Sequence, residues 1–163
     1  MNVTAELVRA YDEHRHELAA TGRALPGAQD TLALLAGLSA IYQSVLTGNL
    51  RDVARVKLEA FNLHQFVDLE AGAYGEDGRD RAELVHIAQR RARERAGARF
   101  SNDRTVLVGD TVNDVRAGRE AGVAVVGVST GKASRDELRQ AGAAAAFDHL
   151  DEVRTHLLAL VPN

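Results

Sequence analysis

From residue 25 to the C-terminus, short apolar runs alternate with segments of helical period, and the runs end in Gly, Thr, Asn, Asp or Ser. A chain that inserts a helix between successive strands builds parallel pairs with crossover connections. It therefore specifies an α/β layer fold with a mostly parallel sheet. The spacing predicts strands over 40–46, 66–70, 105–108, 123–128 and 143–147. The run 105–108 is continuously apolar, the pattern of a central strand buried on both faces, and 143–147 reads as a short edge strand. A helix follows the break at Leu25-Pro26-Gly27 and runs through Leu32, Leu35 and Leu38. The next has Val53, Val56 and Ala60 on its inner face, with Asn49 as its cap. A Gly-rich charged loop over 72–79 leads to an Arg-rich helix over 80–96, with Leu84, Ile87 and Ala88 facing in and Gly97 ending it. A short helix over 114–121 stops at Gly122. Ser134 and Glu137 have capping-box spacing for a helix ending near Gly142, and 152–160 closes the chain. Ahead of all this, Leu7, Tyr11, His14 and Leu18 form one stripe of a helix over 3–20, with Gly22 as its stop.

The chain's 163 residues suit one compact domain, which buries about two-thirds of its unfolded surface. With 45% hydrophobic and 26% charged residues it is globular and soluble in character. A net charge of −3 gives no reason to expect nucleic acid or an anionic membrane as partner. The cluster Arg90, Arg91, Arg93, Arg95 and Arg99 lacks interleaved aromatic residues and reads as a solvated helix face. No apolar run approaches the roughly 20 residues of a membrane span, and the N-terminus lacks the basic-then-apolar order of a signal peptide. The absence of cysteine excludes disulfides, thiolate metal sites and cysteine nucleophiles. A cytoplasmic protein is the expectation.

In open α/β sheets ligands sit at the carboxyl ends of strands, and three such ends carry suitable groups. Val108-Gly109-Asp110-Thr111-Val112-Asn113-Asp114 offers two carboxylates, one at a strand tip and one at the next helix start. Two hard oxygen donors converging there suit Mg²⁺; equally, Asp114 caps its helix and Asp110 is a turn residue. Val45-Leu46-Thr47-Gly48-Asn49 presents a hydroxyl and successive N–H groups, an anion site or an ordinary capped turn. Arg79-Asp80-Arg81 brings a guanidinium to a helix start, where it could neutralise a phosphoryl group. The segment 127–132 is no P-loop: its glycine spacing is one residue short, and Ala133 stands where the metal-binding hydroxyl belongs. The chain has no GxGxxG after a strand and no GxSxG elbow. His14 and His16 do not share a helix face, and His64, His86 and His149 are isolated in sequence.

The ordered set Leu25-Pro26-Gly27, Thr47-Gly48-Asn49, a basic residue at a helix start, Gly109-Asp110-Thr111-Val112-Asn113-Asp114, then Ala117-Gly118-Arg119-Glu120-Ala121-Gly122 and Gly127-Val128-Ser129-Thr130-Gly131 resembles the haloacid dehalogenase-like hydrolases. Within them it is most similar to the phosphoglycolate-phosphatase-like branch, over about residues 22–153. The resemblance implies a three-layer Rossmann-like core over 23–163 and a remnant of a helical cap over 1–22. It also implies a Mg²⁺-dependent phosphatase of small-molecule phosphate monoesters. Thr47 would correspond to the hydroxyl that binds a phosphoryl oxygen, with Gly48 and Asn49 beside it. Arg81, or alternatively Arg79, would be the basic residue, where many relatives have Lys followed by Pro. Asp110 would be the magnesium ligand, and Asp114 the acid supporting the metal or the basic residue.

The family's first motif, a strand followed by Asp-x-Asp, has no counterpart here. The acids of the first 46 residues are Glu6, Asp12, Glu13, Glu17 and Asp30, all in predicted helices, and no Asp-x-Asp occurs anywhere. The first Asp of that motif is the family's nucleophile and the second its general acid/base. The expectation is a truncated or mis-started member that turns over little or nothing. In the family the missing strand lies between the Thr47 and Asp110 strands. Three outcomes are open: those strands pair directly, another chain (a homodimer partner) supplies the pairing, or the chain is part of a longer protein. The rival functional reading is a non-catalytic phosphate-binding or assembly module. A receiver-like domain phosphorylated on Asp110 is a third, for which Lys132 fits loosely and the early acidic pair is absent.

Overall fold

The computed structural model describes residues 22–161 together with Glu6, Arg9 and Ala10, which are helical. The remainder of the expected helix over 3–20 lies outside the described residues. Among the described residues from 22 onward, six α-helices and five strands alternate: α1 (Ala28–Ala36), β1 (Ser44–Leu46), α2 (Arg51–Ala60), β2 (Asp68–Ala73), α3 (Arg81–Ala96), β3 (Val106–Gly109), α4 (Val112–Ala121), β4 (Ala124–Val128), α5 (Arg135–Ala141), β5 (Ala145–Phe147) and α6 (Leu150–Ala159). Every pairing is parallel. The chain is thus mixed α/β, as its alternation requires.

Helix ends follow local chemistry. Gly97, Gly122 and Gly142 each take left-handed backbone just past a helix, where side chains other than glycine are strained. Ser134 and Glu137 form the expected capping box on α5. Strand limits moved more. Only 44–46 of the run 40–46 is strand, and β2 starts and ends later than 66–70, so Gly72 lies within it rather than in a loop. Short apolar windows set that a strand exists, while the partner strand sets how much of it pairs.

β4 is covered on both faces. Val125 packs with Val115, Leu138 and Ala146, whereas Val126 and Val128 pack with Val153 from the other side. Removing valines of this kind from water contributes about 1.5–3 kcal/mol each. Gly118 of α4 lies so close to β4 that a Cβ there would overlap Val125. Three layers result: α3, α4 and α5 on one face, the strands, and α6 on the other.

Among the described residues the strands form two sheets, β1–β2 and β3–β4–β5, and β1 does not pair with β3. Direct pairing of the Thr47 and Asp110 strands, one of the three open outcomes, is therefore not what the chain does. The sheets nevertheless share a helical cover. Leu46 of β1 and Leu107 of β3 pack against one cluster made by Ala82, Val85, Ala121 and Val123. The backbone of Gln43 and Thr47 bonds to β2, so by strand alternation that of Ser44 and Leu46 faces away from it. β3 corrects another expectation: Val106 and Val108 are 36% and 42% exposed, not buried on both faces. Its register neighbour Val126 is buried because α6 covers β4, whereas β3 is an edge strand.

Candidate phosphate and cation site

The carboxyl ends of β1, β3 and β4 each feed a polar loop, and these loops are linked to one another through side chains. After β1, Thr47 N donates to Ala73 O of β2 at 3.0 Å, fixing the turn. Thr47 Oγ1 accepts from Asn49 N and Asn49 Nδ2, both at 3.1 Å. The Asn49 amide is therefore folded back on Thr47 and does not cap α2. Leu50 stands at the N-cap without a side-chain bond, and Arg51 N donates to both carboxylate oxygens of Glu76 at 3.0 and 3.1 Å. Glu76 thus already supplies the negative charge that the helix N-terminus favours. Beside it, Gly75 N donates to Asn49 O at 2.9 Å, and a Cβ on Gly75 would overlap the Gly48 carbonyl. The loop 74–79 buttresses the 47–49 turn.

Arg81 is the first residue of α3, whose N-cap Asp80 accepts from Ala82 N at 2.9 Å. Its Nη1 donates to Asp114 Oδ1 at 2.7 Å, and its Nη2 lies 3.6 Å from where a Cβ on Gly48 would stand. Arg81 therefore joins the 47–49 turn to α4. Arg79 is exposed. Of the two arginines considered from sequence, Arg81 is the one seated between these loops.

Asp114 stands at the third position of α4. It completes a capping box with Thr111, its Oδ2 accepting from Thr111 N at 3.1 Å and Thr111 Oγ1 at 2.6 Å. The helix thus begins at Val112, ahead of the expected 114. With Oδ1 on Arg81 and Oδ2 on Thr111, both oxygens are engaged, so Asp114 does the capping of the plainer reading and also holds the basic residue. Gly109 serves this arrangement by close approach: a Cβ there would come 2.5 Å from Asp114 Cβ.

Asp110 differs. It is partly buried, and among the described residues its carboxylate has no hydrogen bond or ion pair. No group of three or more His, Cys, Asp or Glu gathers among the described residues. A hard cation still fits, because Mg²⁺ is commonly held by one or two carboxylates while keeping several waters. Asp110 is the free donor for it, with Asp114 reserved for Arg81. The Asp110 side chain lies against Gly131, in the loop after β4. Glu76, Gly75, Thr111 and Gly131 were missed from sequence. Only Thr111 had a local signal, its capping-box spacing to Asp114.

The expected solvated arginine face of α3 is also partly engaged. Arg91 binds Asp77 through two bonds of 2.6 and 2.7 Å, and Arg95 Nε donates to Asp68 at 2.5 Å. Among the described residues no helix is long and apolar enough to cross a membrane.

Comparison with known proteins agrees with this architecture. Residues 83–155 match the HAD-hydrolase-like family. The chain is 32% identical over 135 residues to the "Probable phosphatase IndB" of Dickeya dadantii (strain 3937), covering 82% of this chain and 56% of that protein. It therefore spans little more than half the length of that curated relative. A hydrolase from Pseudomonas syringae has a similar structure (TM-score 0.71, 24% identity, covering 95% of this chain and 67% of that one). So does a HAD family hydrolase from Deinococcus radiodurans R1 crystallised with bound phosphate and sodium (TM-score 0.65, 22% identity, 83% and 59%). Over residues 83–155 the chain matches the haloacid dehalogenase-like hydrolases, and the related phosphatase and the shared fold carry the same likeness over most of its length.

Proposed function

We propose that this chain forms the phosphate- and cation-holding part of a Mg²⁺-dependent phosphatase acting on small-molecule phosphate monoesters. The observation that carries the reading is the Arg81 guanidinium, bonded to Asp114 at 2.7 Å while standing beside Gly48 of the Thr47 turn. A cation so held lies where a phosphoryl group at the strand tips would need neutralising. Thr47, with the backbone of Gly48 and the amide of Asn49, would orient the phosphoryl oxygens. Asp114 keeps Arg81 in place. Asp110 would hold Mg²⁺, which, when bound, supplies charge neutralisation at those oxygens. The cytoplasm and a small-molecule phosphate, rather than nucleic acid or a membrane, are the proposed setting and partner.

These residues account for binding and orientation, not for covalent capture, since the chain contains no Asp-x-Asp. The 163-residue chain with an aryl phosphate and Mg²⁺ is expected to give no turnover above background. Calorimetry with inorganic phosphate is expected to show weak binding that falls about tenfold or more in Arg81→Ala, the worth of a charged hydrogen bond. Unchanged phosphate binding in that variant would remove the reading. Turnover abolished by Asp110→Asn would instead reveal a nucleophile within the chain.

The unpaired edges of β1 and β3 favour a second reading, an assembly module whose sheet is completed by another copy. A concentration-dependent dimer in sedimentation equilibrium, without phosphate binding, would support it.

A further inference from the structure

The loop leaving β4 has two features that packing the fold does not require. Gly131 lies against Asp110: a Cβ there would overlap Oδ2 and stand 3.0 Å from Cγ. Its backbone is not left-handed, so its missing side chain answers to space alone. One residue earlier, the Thr130 hydroxyl oxygen is buried without a hydrogen-bond partner among the described residues. The rest of the loop is closed without it. Ser129 Oγ donates to Ala133 O at 3.1 Å, Ser129 N donates to Phe147 O at 2.8 Å, and Ser134 is engaged in the α5 cap.

A buried hydroxyl left unpaired is destabilising, so its presence calls for a partner. A hydrated cation supplies one. Mg²⁺ gives up its waters reluctantly, and each retained water needs neighbours to accept its protons. Thr130 adjoins Gly131, which lies against the Asp110 carboxylate.

We infer that Thr130 and Gly131 belong to the cation site of Asp110. Gly131 is a positioning residue that leaves room for the carboxylate, and the Thr130 hydroxyl accepts a hydrogen bond from a water on the bound ion. This rests on reading Asp110 as the cation ligand. A side chain at position 131 meets first the far end of a flexible one, with the Asp110 backbone oxygen 3.4 Å away. In Gly131→Ala the carboxylate therefore swings aside while the backbone holds.

The test is Mn²⁺ binding to the whole chain, followed by electron paramagnetic resonance of the free ion, with the Tm of each variant measured in EDTA. Asp110→Asn is expected to abolish binding. Gly131→Ala and Thr130→Val are expected to weaken it about tenfold or more, the usual effect of losing a residue that orients a metal ligand or its water. Thr130→Ser retains binding, and the Tm of Thr130→Val in EDTA is unchanged or higher because no bond is lost. If Asp110→Asn abolishes binding while both loop variants bind like wild type, this inference is overturned and the reading of Asp110 stands. Equal losses in Thr130→Ser and Thr130→Val would mean a packing role and overturn the assignment of the hydroxyl. Absence of binding by the wild type, or undiminished binding by Asp110→Asn, would overturn both.

Discussion

The two sheets hold together by different means. The β3–β4–β5 sheet has an unbroken register, from Val106↔Ala124 to Gly109↔Gly127 and from Val126↔Ala145 to Val128↔Phe147. Its interior is apolar, with Val115, Val125, Leu138 and Ala146 almost wholly buried, and α4 and α5 each begin in a capping box. The β1–β2 sheet has a register that slips between Ser44↔Asp68 and Leu46↔Ala73. Apolar contact of Leu46 and Ala73 with Leu84 and Ile87 is joined here by a set of charged and polar contacts. Arg91 from α3 grips Asp77 and the Gly72 carbonyl, the latter at 2.6 Å. Arg95 and Tyr42 meet on Asp68, and Arg51 pairs with Glu70 while lying over the Tyr74 ring. Tyr74 is buried against Gly72, and burial pushes its phenol up to about 12. Where the strand side chains are small, as at Ala71 and Ala73, a long arginine-bearing helix adds directional contacts to the apolar ones. Such contacts depend on pH, and apolar packing does not.

The sharpest way to break this contrast is to cut each half at its centre. Leu138→Ala removes a side chain with no exposed surface and is expected to cost roughly 2–5 kcal/mol in urea unfolding at any pH between neutral and mildly acid. Asp77→Ala takes away the partner of Arg91 and the acceptor of Tyr74 N, bonded at 2.9 Å, and should cost less, about 1–3 kcal/mol at neutral pH.

Acid sharpens the comparison further. The hydrogen bond from Arg91 holds the Asp77 carboxyl below its ordinary 3.8. At Asp68 burial pushes upward, yet bonds from Tyr42 and Arg95 leave the carboxyl lowered too. A carboxylate with a depressed folded-state pKa contributes stability that is fully present above its unfolded value and is lost as pH falls through the folded value. Wild-type stability should therefore decline as the pH drops below about 4, and Asp77→Ala should show a smaller decline. Identical acid slopes would mean that the clasp is not what holds β2. The smallest effect is at the exposed edge: Val108→Ser should change stability by no more than about 0.5 kcal/mol. A cost comparable to a buried valine would show that the outer face of β3 is covered in solution, favouring the assembly reading.

The reading from sequence succeeded where information is local. Gly97, Gly122 and Gly142 end helices because few residues tolerate the backbone there. Ser134 and Glu137 cap α5 because their reach spans one helical turn. The strand-tip Gly109-Asp110 stood out for the same reason. Asn49 was misread because a side chain that can cap can equally bond back to its own turn. The true partner of α2, Glu76, lies 25 residues away. Arg91 and Arg95 looked like solvent-facing charge because nothing within one helical turn announced Asp77 and Asp68.

By itself, then, the order of residues determined an α/β parallel architecture and its helix stops, and it pointed to the loops for which phosphate- and cation-type chemistry is proposed. Dihedral preferences and one-turn hydrogen bonds decide these within a few positions. Only the tertiary structure decided that the strands form two sheets under one helical cover, that Arg81 rather than Arg79 bridges the loops, and that Gly131 rests on Asp110. These meetings join residues far apart along the chain, and they exist only once helices have packed and fixed which strand tips stand side by side.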